Sequence, residues 1–195
     1  MRVIAGSARG RRLTVPRGRD TRPTSDRVKE ALFSSLQPRL PGAHVADLYA
    51  GGGGLGIEAL SRGASAVTFV ERATHAHRAL LENLHRTGLG EDSIVLHGDV
   101  ATLLEAGLPG APFDLVLLDP PYALSGTELQ HVLERVITIV SDGGLVVVER
   151  GRRSDPLRWP RGLPPGRARR YGDTILYEAR PAGASGTTTE EGGAP

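Results

Sequence analysis

From residue 43 onward the chain alternates short apolar runs with segments whose apolar residues recur at helical spacing. The runs fall at 44–49, 66–71, 93–97, 113–118 and 144–149, and each predicts a strand. Helices are predicted at 55–62, 73–87, 100–106 and 127–140. In the last of these, Leu129, Val132, Leu133, Val136, Ile137 and Val140 make one stripe at i, i+3, i+4, i+7, i+8 and i+11. Leu145-Val-Val-Val148 is apolar throughout, as strands covered on both faces are. Repeated strand–helix units of this kind predict a mostly parallel sheet with helices on both faces. Ahead of them, a helix over 25–36 places Val28, Leu32 and Leu36 on one side, with Thr24 or Ser25 as its N-cap. Residues 2–5 and 12–15 flank the turn Gly6-Ser-Ala-Arg-Gly10 and predict a small β-hairpin, followed by a loop over 16–23. A second hairpin is predicted over 167–179, turning at Gly172-Asp173. Residues 181–195 hold no Val, Leu, Ile, Met or aromatic residue. Nothing there offsets chain entropy, so a disordered tail is expected. The expected organisation is a basic N-terminal hairpin and loop at 1–23, one α/β domain at 24–180, and the tail at 181–195.

Composition narrows the chemistry. The absence of cysteine excludes disulfides, thiolate metal sites and a cysteine nucleophile, and fits a reducing cytoplasm. No apolar run approaches the ~18 residues of a membrane span, and Met1-Arg-Val-Ile-Ala-Gly6 lacks the apolar core of a signal peptide. His75 and His77 point to different sides of a helix, so no metal site is expected. The net charge is only +2, but it is unevenly spread. Residues 1–40 hold 10 Arg or Lys against 3 Asp or Glu, residues 41–149 hold 5 against 14, and residues 150–180 hold 9 against 3. Two cationic arms therefore flank an anionic centre, which is the electrostatic footprint of phosphate binding. Candidate phosphate contacts are Arg9, Arg11 and Arg12 on the first hairpin and Arg167, Arg169 and Arg170 on the last.

The run Phe113-Asp-Leu-Val-Leu-Leu118 ends in Asp119-Pro-Pro-Tyr122. The two prolines fix φ and remove two N–H donors, leaving a carboxylate, carbonyl oxygens and a ring at the carboxyl edge of the sheet. That set suits a planar substrate with an amino group, such as a nucleobase. The first strand ends in Asp47-Leu-Tyr-Ala-Gly-Gly-Gly-Gly-Leu-Gly56, where Gly51, Gly53 and Gly56 match G-x-G-x-x-G. Glu71 closes the next strand 20 residues after Gly51, where an acid reaches a ribose hydroxyl pair. Dinucleotides and S-adenosyl-L-methionine share this geometry. Asp47 favours the second, because a carboxylate there suits an amino-acid or sulfonium group and repels a pyrophosphate. Asp99, at the end of the third strand, is placed for an adenine amino group or as the N-cap of the helix from 100.

Taken in order, Arg22-Pro-Thr24, Asp26-Arg-Val-Lys-Glu-Ala-Leu-Phe33, Asp47-Leu-Tyr-Ala-Gly51, Gly56-Ile-Glu-Ala-Leu-Ser-Arg-Gly-Ala64, Glu71, Asp99 and Asp119-Pro-Pro-Tyr122 resemble the RsmD family of bacterial methyltransferases, which modify a guanine N2 in 16S ribosomal RNA. The resemblance covers residues 1–180. It implies a Rossmann-like class I methyltransferase fold: a seven-stranded sheet whose last strand is antiparallel, with an N-terminal hairpin extension. It implies S-adenosyl-L-methionine as cofactor, held by Arg22, Thr24, Asp47, Tyr49, Ala50, Gly51, Gly53, Glu71, Asp99, Val100 and Asp119. It also implies 16S rRNA in a 30S subunit or assembly particle as partner, and a monomeric enzyme. One departure stands out. The family usually has Ala-Gly-Ser-Gly where this chain has Ala50-Gly-Gly-Gly53. The missing hydroxyl removes one hydrogen bond to the cofactor, typically about 0.5–1.5 kcal/mol.

The exocyclic amine of guanine is a weak nucleophile because its lone pair is delocalised into the ring. Asp119 and the carbonyl of Pro120 are placed to accept its two N–H groups and favour a pyramidal nitrogen, while Tyr122 stacks on an unstacked base. Rival readings are an amino-methyltransferase acting on adenine N6 or cytosine N4, a nicotinamide-dependent oxidoreductase, and a non-catalytic RNA-binding assembly factor. The oxidoreductase leaves Asp119–Tyr122 and the basic arms without a role.

Overall fold

The computed structural model describes residues 1–16 and 26–183. Arg22, Thr24, the N-cap expected at Thr24 or Ser25, and the tail from 184 onward lie outside the described residues. The elements run α1 (Asp26–Leu36), β1 (His44–Leu48), α2 (Gly56–Ser61), β2 (Ala66–Glu71), α3 (Thr74–Thr87), β3 (Ser93–His97), α4 (Val100–Ala106), β4 (Phe113–Leu118), α5 (Gly126–Val136), β5 (Val140–Gly151), β6 (Pro165–Tyr171) and β7 (Thr174–Ala179).

Seven strands form one sheet in the order β3-β2-β1-β4-β5-β7-β6. Only β7 runs against the rest, pairing antiparallel with both β5 and β6. The order turns back on itself between β1 and β4, which opens a crevice at the carboxyl ends of those strands. Alternating side chains serve two cores. Val45, Val67, Phe69, Leu115, Leu117 and Val147 pack with Leu32, Phe33 and Leu36 of α1, Ile57 of α2 and Leu80 of α3. Leu48, Val70, Val116, Leu118, Val146 and Val148 pack with Leu104 of α4 and Leu129, Val132, Leu133 and Val136 of α5. Each fully buried side chain of this size contributes about 1.5–3 kcal/mol, enough to fix the strand register.

The predicted elements match except at two places. The α5 helix stops at Val136 and tightens into a 3-10 turn over Ile137–Ile139, so Ile139 is buried in the core and Val140 packs at its margin. Val140 instead pairs with Phe113 and opens β5, ahead of a register shift. At the start of α5, Ser125 and Glu128 close a capping box. The N-terminal hairpin is looser than predicted, with a single β-bridge, Arg2 to Arg12. Its backbone is held by Val3 N–H to Arg11 O at 3.0 Å, Gly10 N–H to Val3 O at 2.9 Å and Leu13 N–H to Met1 O at 3.0 Å. Its buried residues Val3, Ala8 and Leu13 belong to the α1–α3 core, so burial on the domain, not a ladder, holds it. None of the helices in the described residues is long and apolar enough to cross a membrane.

Candidate active site

The three glycines of the loop after β1 answer three different demands. Gly51 has φ +56°, and a Cβ there would meet nothing within 4 Å, so backbone faces open space. A Cβ on Gly53 would lie 2.4 Å from Leu80 Cδ1, and one on Gly56 2.2 Å from Phe69 Cε1. Gly51 leaves room for a ligand, whereas Gly53 and Gly56 let the loop and α2 close onto the core. Tyr49, at the end of β1, has φ +65°, a conformation uncommon for a bulky non-glycine residue and found at functional sites.

Carboxylates pin this loop. Asp47 Oδ2 accepts from Gly56 N–H at 2.8 Å. Glu71 accepts from Gly51 N–H at 2.8 Å and from Ala73 N–H at 2.6 Å. Each Glu71 oxygen keeps a second lone pair for a ligand hydroxyl. Asn83 of α3 donates to Gly52 O at 2.8 Å and to Thr14 O at 2.9 Å, and accepts from Thr14 N–H at 2.7 Å. The departure at Gly52 gains a reason here. A Cβ at that position would sit 3.0 Å from both Pro16 Cδ and Thr14 O, so glycine lets the N-terminal segment lie against the loop.

A cleft of about 290 Å³ lies at the switch point. Of the residues expected to bind or react, it gathers Asp47, Tyr49, Ala50, Gly51, Glu71, Val100, Asp119, Pro120 and Tyr122. Gly53 packs beneath the loop instead. Asp99 turns to cap α4, accepting from Ala101 N–H at 3.0 Å and Thr102 N–H at 3.3 Å, and stands 3.7 Å from Arg72 Nη1. The wall beside it is made by Gly98 and Val100. In the Asp119–Tyr122 loop, Leu124 N–H uses the carbonyl of Pro121 at 3.0 Å, and the Tyr122 ring is 54 % exposed beside Gly151.

Burial shapes the electrostatics. Asp47 is pushed up to about 7 by desolvation, which the Gly56 N–H only partly offsets, with Glu71 adding to the rise. Asp119 is held well above the ordinary carboxylate range by desolvation, then by the charges of Glu149 and Asp47. Desolvation likewise raises the Tyr49 phenol, helped by Asp99.

Several site residues escaped the sequence reading. Lys29 is fully buried in the cleft wall, and burial lowers its ammonium against the pull of Glu58. Its Nζ donates to Arg2 O at 2.5 Å and stands 3.5 Å from Glu58 Oε2. Glu58, also fully buried, accepts from Ile4 N–H at 2.8 Å, Ala5 N–H at 3.0 Å and Arg62 Nε at 2.7 Å. The signal for Lys29 was its place in the buried stripe 29, 32, 33 and 36.

The basic arms separate in space. The tip of the first hairpin lies against the far end of α2, with Ser7 N–H to Ser61 O at 2.7 Å and Ala8 N–H to Ser61 Oγ at 3.0 Å. Arg11 Nη1 donates to Arg86 O, in the last turn of α3, at 2.7 Å. Both contacts lie at the amino ends of the strands, and the Arg86 contact stands about 17 Å along α3 from His75 of the cleft wall. Arg9 and Arg11, candidate phosphate contacts, thus stand away from the cleft. The C-terminal arm is better placed. Register pairs Gly151 with Thr174 and Thr174 with Tyr171, which brings the Arg170 end of β6 to the carboxyl edge. Arg170 Nε bonds Gly172 O at 3.0 Å, and Arg169 stands 3.6 Å from Glu178. Arg152 and Arg153, which the sequence reading passed over, are exposed in the turn directly after Gly151.

A model of the family described as Conserved hypothetical protein 95 matches residues 1–180. The chain is 34 % identical over 169 residues to ribosomal RNA small subunit methyltransferase D of Escherichia coli K12, covering 82 % of this chain and 81 % of the relative. It superposes on the solved structure of yhhF from Escherichia coli with a TM-score of 0.79 at 29 % identity, over 93 % of this chain and 97 % of that one. A hypothetical protein of Thermus thermophilus gives a TM-score of 0.77 at 35 % identity, over 91 % and 98 %. By the family match and the Escherichia coli K12 relative, the chain belongs to the RsmD family of methyltransferases, and its seven-stranded sheet has the Rossmann-like class I fold.

Proposed function

We propose that the protein transfers a methyl group from S-adenosyl-L-methionine to the exocyclic N2 amine of a guanine in 16S rRNA, within the 30S subunit or its assembly intermediate, as a cytoplasmic monomer. The relative named ribosomal RNA small subunit methyltransferase D supports an rRNA substrate. The observation that carries the reading is a half-buried carboxylate, Asp119, set with Pro120 and the exposed Tyr122 ring on the same cleft as the glycine loop.

The residues present fit the cofactor. Gly51 leaves open space, Glu71 keeps lone pairs for a ribose hydroxyl pair, and Asp47 sits in the wall for an amino-acid or sulfonium group. When bound, S-adenosyl-L-methionine supplies the electrophilic methyl group. The chain's own part is to hold the target base on Tyr122, accept the amine hydrogens on Asp119 and Pro120 O, and keep bulk water out. Positioning of this kind supplies much of the acceleration. Lys29 has a structural part: its bonds to Arg2 O and Glu58 tie α1, α2 and the N-terminal segment together.

Two outcomes follow. Glu71→Ala removes the ribose acceptor and frees the Gly51 and Ala73 N–H groups, so S-adenosyl-L-methionine binding should weaken by about 1.5–3 kcal/mol in calorimetry. Unchanged affinity in a folded variant would contradict the ribose role. Charge reversal should separate the arms. Arg152→Glu with Arg153→Glu, beside Tyr122, should weaken 30S-particle binding and flatten its salt dependence. Reversal of Arg9, Arg11 and Arg12 together should do less, because Arg9 and Arg11 lie at the opposite end of the sheet. Titration of both variants against particles at several salt concentrations tests this ranking, and the reverse order would place the RNA along the N-terminal hairpin.

The deciding experiment is labelled-methyl transfer onto unmethylated 30S particles with nucleoside analysis. N2-methylguanosine is the expected product. Methylated adenosine or cytidine would reassign the base, and no transfer to any particle would remove the ribosomal substrate.

A further inference from the structure

The two arms of the N-terminal hairpin end in the cleft. Its tip is fixed far from there, where Ala8 N–H bonds Ser61 Oγ, and its first arm is fixed by Glu58, which accepts from Ile4 and Ala5 N–H. At the open end, Leu13 N–H bonds Met1 O at 3.0 Å, so the arms lie side by side. Met1 from one arm and Val15 and Pro16 from the other line the cleft, each half-buried. Met1 and Pro16 rest on the glycine loop. A Cβ on Gly54 would lie 2.7 Å from Met1 Cε and 2.8 Å from its Sδ, and one on Gly52 3.0 Å from Pro16 Cδ.

Asn83 sets this contact. Its side chain is fully buried, and its amide donates to Gly52 O at 2.8 Å and to Thr14 O at 2.9 Å while its oxygen accepts from Thr14 N–H at 2.7 Å. One side chain of α3 therefore holds the loop and the residue before Val15 at a fixed separation. A buried amide with its bonds made specifies geometry more sharply than apolar packing does. The position along the cleft follows from strand order. The hairpin touches the loop after β1, whereas Gly98 and Val100 follow β3, two strands or about 10 Å away. It thus flanks the end of the cleft where Asp47 stands, and what it offers there is a thioether chain, an isopropyl group and a pyrrolidine ring.

We infer that the N-terminal hairpin is part of the cofactor site: Met1, Val15 and Pro16 form the apolar wall for the methylene carbons of the amino-acid arm of S-adenosyl-L-methionine, and Asn83 is the positioning residue that sets this wall. The inference rests on the cofactor reading given above. Apolar side chains suit methylene carbons, and they keep water from that side of the arm. The hairpin then has a task independent of Arg9 and Arg11, which stand away from the cleft.

S-adenosyl-L-homocysteine and 5′-methylthioadenosine separate the arm from the rest of the ligand. Both carry a neutral sulfur on adenosine, and only the first has the amino-acid arm. Calorimetry of the full chain with each ligand is the test. Val15→Ala trims the wall and leaves the Asn83 bonds in place. It should weaken S-adenosyl-L-homocysteine about threefold to tenfold and leave 5′-methylthioadenosine within about twofold. Asn83→Ala frees the hairpin from the loop and should weaken the first ligand about tenfold or more, again with the larger loss on the ligand that has the arm. Equal loss of both ligands in Val15→Ala would make the hairpin a packing support of the whole cleft and overturns the inference. So does S-adenosyl-L-homocysteine binding unmoved in both variants. A wild-type protein that binds neither ligand removes the cofactor reading itself, and the inference falls with it.

Discussion

Asp119→Ala is expected to lower single-turnover methyl transfer by about 10²–10⁴-fold, the range for a positioned proton acceptor. Affinities for S-adenosyl-L-methionine and for the 30S particle should stay within several-fold of wild type. The reason is where Asp119 stands. It is the first residue past β4, in the cleft wall with Pro120 and Tyr122, while the glycine loop is pinned by Asp47 and Glu71 from other strands. Removing it leaves that loop's bonds in place. Folding should not suffer at neutral pH, because a carboxyl whose proton affinity is raised by burial opposes the folded state when ionised. Asp119→Asn should also be slow, since its amide can present a donor to a donor. Rapid-mixing methyl transfer with saturating cofactor checks both. A rate for Asp119→Ala near wild type would remove the amine-accepting role.

How much of this could be read from the chain alone divides along physical lines. Strand bounds at 66–71, 93–97 and 113–118 and the helix at 100–106 came out as observed, because apolar periodicity is what the packed sheet enforces. The gathering of Asp47, Gly51, Glu71 and Asp119 was also readable, since each lies at or just past the end of its strand and the strand order carries them to one edge. The hairpin's destination was not. Its Arg residues suggest an RNA contact, but its position is set by Glu58, Ser61 and Asn83 reaching Ile4, Ala5, Ala8 and Thr14, contacts more than 50 residues apart in sequence. Glu149 was hidden for a related reason. In sequence it is one acid at the end of an apolar run, and only the β4–β5 register sets it beside Asp119. For Lys29, only the packing of α1 against α2 sets Glu58 beside it and gives its buried charge a partner.

Asp47→Asn should make the protein more stable and a poorer cofactor binder at once. Asp47 is 1 % exposed and its folded proton affinity is raised to about 7 from an ordinary 3.8. The folded state therefore holds this proton to higher pH than the unfolded state does. Its contribution to stability is full below about pH 4, falls as pH rises toward 7, and is lost above that. The shift corresponds to a ceiling of about 4 kcal/mol. Asparagine carries no charge, and its carbonyl can still accept from Gly56 N–H, but its amide brings a buried donor worth about 1–3 kcal/mol if unmet. The net gain should thus be about 1–3 kcal/mol at pH 8 and vanish or reverse at pH 4. Urea unfolding of wild type and variant across that range measures it, and stability curves that run parallel would mean Asp47 is not the titrating group. In the same variant the cleft wall loses the carboxylate proposed above to meet the cofactor's cationic end, so S-adenosyl-L-methionine affinity should fall while the fold tightens. A buried charge kept at a stability cost beside an open cleft is the trade expected of a residue retained for binding.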